Sequence, residues 1–183
     1  MLHVGGAAGG LQAAFARFQD GLALLSDAAR TRVVIENDDR SFGLAEVLTL
    51  AERTGLRVVW DILHHRCVDT AGIPDEEALT LAFATWPAGV RPKIHFSSPR
   101  LDLGEKVVRE GRRVTRRPVP PQLRAHADLI DPIGFECFLR LAARGRDFDV
   151  MLEAKAKDLA LLRLREQLGG RGLSWSEGQL RVR

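Results

Sequence analysis

Two side chains of the metal-binding type follow one apolar run of this sequence. The run at residues 57–60 ends in Asp61, and His64 comes three positions later. A carboxylate oxygen and an imidazole nitrogen at this spacing can reach one point beyond the end of a β-strand. The spacing therefore predicts two ligands of a metal site at the end of this strand.

The other apolar runs end in, or contain, polar residues of similar kinds, namely His3, Glu36, Lys93, His95 and Glu153. Lys93 and His95 are two positions apart, so they share one face of a strand. In parallel β/α folds the chemistry takes place at the carboxyl ends of the strands. We therefore expect Glu36, Asp61, His95 and Glu153 to converge on one site.

The mixture of ligand types restricts the metal and the reaction. Imidazole nitrogen together with carboxylate oxygen suits Mn²⁺, Zn²⁺ or Fe²⁺. The two cysteines, Cys67 and Cys137, are far apart in the sequence and form no metal-type pair, which argues against a structural zinc site. There are more candidate ligands than one ion requires. A site with two or more ions suits in-line displacement at phosphorus.

Several of these residues also have a purely structural interpretation. His95 alone is compatible with a hydrogen-bonded core histidine, and Lys93 with a salt bridge to a neighbouring glutamate. Asp38 and Asp39 are suited to cap the next helix, and His65 either supports a ligand or contacts a substrate. The agreement across four strand ends favours a site over these separate interpretations.

Apolar periodicity alternates between strand and helix along the chain. Strands are predicted at 2–4, 33–35, 58–60, 93–96 and 148–152, and helices at 10–29, 44–54, 74–86, 131–144 and 155–168. Repeated βα units indicate a parallel sheet or a β/α barrel. A complete barrel needs eight strands and about 250 residues. Five strands in 183 residues fit either an open α/β sheet or the C-terminal part of a barrel, and a strand that begins at Leu2 favours the barrel.

The predicted fold class is therefore α/β, a partial TIM-type (β/α) barrel. Residues 1–168 form the catalytic domain, with a basic insertion at about 98–125 where the alternating pattern lapses. Residues 169–183 form a C-terminal tail that looks like a loose end. A hydrophobic content of 45% is sufficient for a packed core.

Composition limits the cellular setting. No apolar run reaches the roughly 18 residues of a membrane span, and the first residues lack the basic start and apolar core of a signal peptide. We expect a cytoplasmic protein with no membrane partner. The net charge of +3 and the pI near 9.3 permit a nucleic-acid partner without requiring one.

Positive charge is concentrated in the insertion. Residues 100–124 contain eight basic side chains against three acidic ones. This segment would extend from the catalytic end of a barrel, and the predicted DNA contacts are Arg112, Arg113, Arg116 and Arg117. The alternative is a solvated, mobile loop with the prolines at 118–121 as its stiff hinge.

Six motifs of the chain together resemble the UV damage endonucleases. They are His3-Val4-Gly5-Gly6, Ile35-Glu36-Asn37-Asp38-Asp39, Asp61-Ile62-Leu63-His64-His65-Arg66, Pro92-Lys93-Ile94-His95-Phe96-Ser97, His126-Ala127-Asp128-Leu129-Ile130 and Met151-Leu152-Glu153-Ala154-Lys155-Ala156-Lys157. The resemblance covers nearly the whole chain except residues 98–124 and the tail.

The resemblance implies a barrel enzyme of DNA excision repair that cuts damaged double-stranded DNA immediately 5′ of UV photoproducts. It implies up to three divalent ions, usually manganese, and association with the nucleoid through the substrate. Glu36 would bridge two ions, and the remaining ligands would be His3, Asp61, His64, His95, His126 and Glu153. Lys93 matches a catalytic lysine that can be carboxylated, and His65 and Arg66 are expected to contact DNA.

The sequence departs from the family in one large respect. The first three βα units of the family, with two further ligand histidines and the residues that probe the lesion, have no counterpart here. Open sheet edges favour self-association or a partner chain, so a fragment, a split protein and a misassigned start are all compatible with the sequence. The other functions considered are a different metal-dependent barrel enzyme, such as an abasic-site endonuclease or a sugar isomerase, and an inactive DNA-binding fragment.

Overall fold

The computed structural model describes residues 1–143 and 145–181. Arg144, at the end of one predicted helix, and Val182 and Arg183, at the end of the predicted tail, lie outside the described residues. The strands are β1 (Leu2–His3), β2 (Val34–Glu36), β3 (Arg57–Asp61), β4 (Lys93–Phe96), β5 (Gly104–Glu110), β6 (Arg113–Val119), β7 (Asp149–Leu152), β8 (Ser174–Ser176) and β9 (Gln179–Arg181). The helices are α1 (Gly10–Ala23), α2 (Asp27–Arg30), α3 (Leu44–Thr54), α4 (Ile62–Cys67), α5 (Asp75–Ala84), α6 (Pro132–Ala142) and α7 (Asp158–Gly170).

Five of the strands form one parallel sheet in the order β1-β2-β3-β4-β7. This order follows the chain, with helices in the connections, as in consecutive units of a β/α barrel. The structure thus confirms the predicted α/β fold with five parallel strands. Because all five strands run in the same direction, their carboxyl ends lie along one edge, where the register sets His3 beside Glu36 and Asp61 beside His95.

The core lies between the sheet and its helices. Ile35, Val58, Trp60 and Ile94 of the central strands are fully buried, as expected of β-branched and aromatic side chains in a covered sheet. They join one apolar cluster with side chains from α3, α5, α6 and α7. Each large side chain buried in this way contributes about 1.5–3 kcal/mol. None of the described helices is long and apolar enough to cross a membrane.

The predicted helix at 10–29 is in fact two helices, α1 and α2. Ser26 separates them in an extended conformation, and its hydroxyl oxygen accepts a hydrogen bond from the Ala29 amide. A serine in this role begins a new helix rather than continuing the old one. The apolar periodicity continued across the break, so the pattern gave no sign of it.

The insertion at about 98–125 contains regular structure that the sequence did not predict. Strands β5 and β6 form an antiparallel hairpin that runs from Gly104 to Val119, joined by a two-residue turn. Gly111 begins this turn at a φ of +59°, which glycine adopts without strain. These residues therefore form a hairpin and not the loop of the alternative prediction, and they are largely exposed, as that alternative expected.

The tail is also ordered as far as Arg181, so the expectation of a loose end is wrong. Its first residues complete α7, and β8 and β9 then form a second antiparallel hairpin. Trp175 and Leu180 lie directly opposite each other in that hairpin and pack against the core.

Candidate metal centre

Glu36 lies at the middle of the site, at the carboxyl end of β2. Its side chain is 1% exposed, and its Oε1 atom lies 2.8 Å from Nδ1 of His95 and 3.7 Å from Nδ1 of His64. Its other oxygen, Oε2, lies 3.5 Å from Nε2 of His3. One buried carboxylate thus contacts imidazoles that come from three different segments of the chain.

Asp61 and His64 are positioned by the start of α4. Asp61 ends β3, and its Oδ1 atom accepts a hydrogen bond of 2.8 Å from the backbone amide of His64, which caps the helix. The Asp-x-x-His spacing therefore has a local structural cause, because an N-cap side chain reaches the third residue of the helix that it begins. The cap places both side chains at the same end of the sheet.

Glu153 and His126 complete the cluster. Glu153 directly follows β7, and its Oε1 atom lies 3.2 Å from Nδ1 of His95. Its Oε2 atom lies 3.7 Å from Nδ1 of His126, which comes at the end of the insertion. The structure therefore brings together all seven predicted ligands.

The seven residues form three overlapping sets whose potential ligand atoms lie within 4.8 Å of one another. The sets are His3 with Glu36 and His64, then Asp61 with His64 and His126, then Glu36 with Asp61, His95 and Glu153. Glu36, Asp61 and His64 each belong to two sets. Each set could hold one metal ion, and the shared residues connect the three sets.

The chemistry of the donor atoms fits divalent cations. The Oε2 atom of Glu36 and the Oδ2 atom of Asp61 are buried and have no hydrogen-bond partner among the described residues. A buried acceptor without a hydrogen bond lowers the stability of the fold by about 1–3 kcal/mol. Buried charges are normally paired or bound to metals. A cation would satisfy both oxygens.

The pKa values at the centre show the same preference for positive charge. Burial lowers the pKa of His95, but its hydrogen bonds with Glu153 and Glu36 outweigh burial and raise that pKa to about 9. The hydrogen bond from His95 lowers the pKa of Glu153. Burial raises the pKa of Asp61, and the neighbouring Glu36 adds to the effect. The hydrogen bonds of His95 thus favour its protonated form beside the carboxylates of Glu36 and Glu153.

Asn37 is a supporting residue that the sequence analysis did not single out, although it lies within one of the quoted motifs. It is fully buried, and its side-chain amide makes two hydrogen bonds of 2.9 Å with the backbone of Asp61. The backbone carbonyl oxygen of Asn37 lies 3.0 Å from Nδ1 of His64. Because a carbonyl can only accept, this bond assigns the proton to Nδ1 and leaves the Nε2 lone pair for a metal.

Lys93 lies two residues before His95 on β4, and both line one cavity together with Met151 and Glu153. Within the described residues Lys93 forms no ion pair, so the predicted alternative of a salt bridge to Glu36 or Glu153 is not observed. Its position beside the centre is compatible with the predicted catalytic role.

The remaining predicted DNA contacts do not share one environment. His65 is buried: its ring packs edge-on against Trp60, and its Nε2 atom donates to the Ile73 carbonyl over 2.8 Å. This placement contradicts a direct DNA contact by His65 and makes it a core residue. Arg66 is exposed and donates to Asp75 over 2.7 Å, while Arg112, Arg113, Arg116 and Arg117 are exposed on the β5–β6 hairpin.

Fold and site together define a class: a parallel β/α protein with a carboxylate–imidazole centre of the divalent-metal type at the carboxyl ends of its strands. The family model described as UV-endonuclease UvdE matches residues 1–174. The chain belongs to the UV-endonuclease UvdE family.

Individual relatives agree with this assignment. The UV DNA damage endonuclease of Bacillus cereus (strain B4264) is 34% identical over 182 residues, which is 98% of this chain and 51% of that protein. The protein of the same name from Bacillus pumilus (strain SAFR-032) is 37% identical over 169 residues, 91% of this chain and 47% of its own length. The crystal structure of SacUVDE matches with a TM-score of 0.71 and 29% identity, over 93% of this chain and 50% of that one. The chain spans about half the length of the relatives that it matches.

Proposed function

We propose that this chain is the metal-binding part of a DNA repair endonuclease that cuts damaged double-stranded DNA immediately 5′ of UV photoproducts. The observation that supports the proposal most directly is the convergence of seven carboxylate and imidazole side chains at the carboxyl ends of the sheet. Membership of the UV-endonuclease UvdE family supports the choice of substrate.

Two or three divalent ions, with Mn²⁺ as the expected metal, would be held by the three overlapping sets of ligands. When bound, such ions lower the pKa of water and neutralise charge that develops at phosphorus. Glu36 and Asp61 could each serve two sets, because a carboxylate has two oxygen atoms, whereas His64 would contribute its Nε2 atom alone. His3, His95, His126 and Glu153 would complete the individual positions.

The chain itself contributes a rigid and partly dry setting. Glu36, Asp61, His64 and His95 are buried, so electrostatic interactions at the centre are stronger than they would be in water. Lys93 adds a charged group beside His95, either as an ammonium group facing a phosphate oxygen or, if carboxylated, as a further oxygen ligand. The mass of the intact chain distinguishes the two forms.

The proposal is tested by substitution of Glu36. Glu36→Gln keeps the size of the side chain but removes the charge shared by two ligand sets, so nicking of irradiated duplex with Mn²⁺ should fall at least about 100-fold. The matched control is Glu52→Gln, because Glu52 is exposed on α3, and its nicking rate should stay unchanged.

Two results would count against the proposal. One is full nicking activity in Glu36→Gln, which would remove this carboxylate from the reaction. The other is cleavage of an abasic duplex, but not of an irradiated one, by the wild-type chain, which would assign a different lesion to the centre.

A further inference from the structure

The β5–β6 hairpin begins and ends beside the metal centre. It follows β4, which contains His95, and the chain returns from it to His126. An antiparallel bridge between Pro99 and His126 closes its base, next to a 2.8 Å hydrogen bond from the Arg100 amide to the Ala125 carbonyl. Because this bridge includes a residue of the centre, the base of the hairpin is fixed at the edge of the site.

The pleat of the hairpin divides its cations between two faces. The register pairs Lys106 with Arg117 and Glu110 with Arg113. Directly paired residues lie on the same face, and successive residues on opposite faces. The first face therefore contains the cations Lys106, Arg113 and Arg117 and the acidic Glu110. The second contains Arg109, Arg116 and the acidic Glu105, and Arg112 lies in the turn.

Within the described residues, the first face has three cations outside any ion pair, whereas the second has one, Arg109. On the second face, Arg116 pairs with Glu105 at 3.2 Å. In the described parts of the chain, Lys106, Arg113 and Arg117 take part in no ion pair. These three side chains are exposed, so they can exchange counterions for phosphates without first losing a protein partner.

The dimensions of this face suit a DNA duplex. The pair Lys106–Arg117 and the pair that contains Arg113 are four residues apart along the strand, or about 13 Å. The major groove of B-DNA is about 12 Å wide, and it admits a two-stranded β-ribbon. A row of cations of this length can therefore contact phosphates on both sides of the groove.

We infer that the face of the hairpin formed by Lys106, Arg113 and Arg117, here called the cationic face, binds the phosphate backbone of the DNA duplex held at the metal centre. The inference rests on the proposed function for its substrate. It adds a surface that contacts DNA, and it separates the cations that bind phosphate from the other arginines of the hairpin. Since phosphate contacts do not depend on sequence or damage, the face should bind irradiated and intact duplex equally.

The test compares two triple variants of the whole chain that remove equal charge from the same hairpin. Lys106→Gln/Arg113→Gln/Arg117→Gln removes the cationic face, and Arg109→Gln/Arg112→Gln/Arg116→Gln is the matched control. Binding of a short labelled duplex is followed by fluorescence anisotropy, without divalent ions to prevent cleavage, between about 50 and 200 mM salt.

Loss of three phosphate contacts should reduce the slope of log K against log salt by about 2 to 3 and raise Kd at least about tenfold near 0.1 M salt. The control should change Kd less than about threefold. Equal weakening by the two triples would overturn the inference, because net charge alone would explain binding. Unchanged binding in the first triple would overturn it too, as would a wild-type chain that binds no duplex.

Failure of the proposed function has a separate readout. Mn²⁺ affinity is measured on the wild-type chain and on both triples, and it should be the same in all three because the hairpin contributes no ligand from these positions. Normal Mn²⁺ binding with unaltered DNA binding would refute only the cationic face. Absence of Mn²⁺ binding in the wild-type chain would instead count against the metal centre.

Discussion

At the scale of single residues, the centre depends on buried carboxylates whose hydrogen bonding is incomplete. The backbone of α4 and the side chain of Asn37 fix the position of Asp61. One oxygen of Asp61 and one of Glu36 nevertheless have no hydrogen-bond partner in the part of the chain that the structure describes. The fixed position of the side chain and its incomplete hydrogen bonding are two separate features. The fixed position makes the site rigid, and the unpaired oxygens favour the binding of cations.

Asn37 provides the sharpest test of that rigidity. Asn37→Ala removes two buried hydrogen bonds to the backbone of Asp61, so it should lower the free energy of unfolding by about 2 kcal/mol. Mn²⁺ affinity should fall about 10- to 100-fold, as is usual when a residue that orients a ligand is lost. Urea unfolding and Mn²⁺ titration measure the two effects.

The control for Asn37 is Gln122→Ala, which truncates an exposed amide in the insertion. Its free energy of unfolding should change by no more than about 0.5 kcal/mol. Wild-type Mn²⁺ affinity in Asn37→Ala would show that Asn37 supports the fold but does not orient the ligands.

At the scale of elements, Glu136 links α6 to the end of α7. Its side chain forms an ion pair of 2.7 Å with Arg140, one turn further along α6, and a second pair with Arg171 directly after α7. Hydrogen bonds from Arg140 and then Arg171 lower the pKa of Glu136 below its usual value of 4.5. This carboxylate therefore helps to attach the last helix and the hairpin that follows it.

The lowered pKa predicts a pH-dependent contribution to stability. A carboxyl group whose pKa is lower in the folded than in the unfolded state stabilises the fold above its unfolded pKa and loses that effect as the pH falls through the folded pKa. The difference in urea midpoint between wild type and Glu136→Gln should thus be largest near neutral pH and shrink below about pH 4.5. A difference that stays constant down to pH 3 would exclude this role for the charge on Glu136.

At the scale of the whole molecule, the sequence allowed prediction of the parallel sheet and of the convergence of polar side chains at its edge for one reason. Parallel strands are buried on both faces, so runs such as Val58-Val59-Trp60 are continuous and easy to recognise. The polar residues directly after them, Glu36, Asp61 and Glu153, lie at a common edge in any parallel β/α fold. The fold fixed their convergence without any need to know their side-chain contacts.

The two hairpins could not be predicted in the same way. Both faces of β5–β6 are largely exposed, so the strands lack the alternation of apolar and polar residues that marks a half-buried sheet. In the tail, Leu173 and Trp175 alternate with serines before the turn at Glu177-Gly178, but this pattern is only one or two residues long on each side of the turn. The available signals were the turns, in which Gly111 and Gly178 have φ values of +59° and +77°.

The error at His65 has a different origin. His64 and His65 are adjacent, and the sequence offered no means of deciding which ring faces the site. In the structure, α4 turns His64 toward Glu36, while His65 packs against Trp60 and bonds to the Ile73 carbonyl. Neighbouring residues on a helix point about 100° apart, so only one of the two imidazoles can reach the centre.

The count of bound Mn²⁺ ions per chain tests the central claim most directly. Equilibrium dialysis at neutral pH, followed by metal analysis, should find at least two ions in the wild-type chain, because three overlapping ligand sets are present. Glu36→Gln should lose at least one of them, whereas Glu52→Gln should lose none. One ion or none in the wild type, or an unchanged count in Glu36→Gln, would contradict the account.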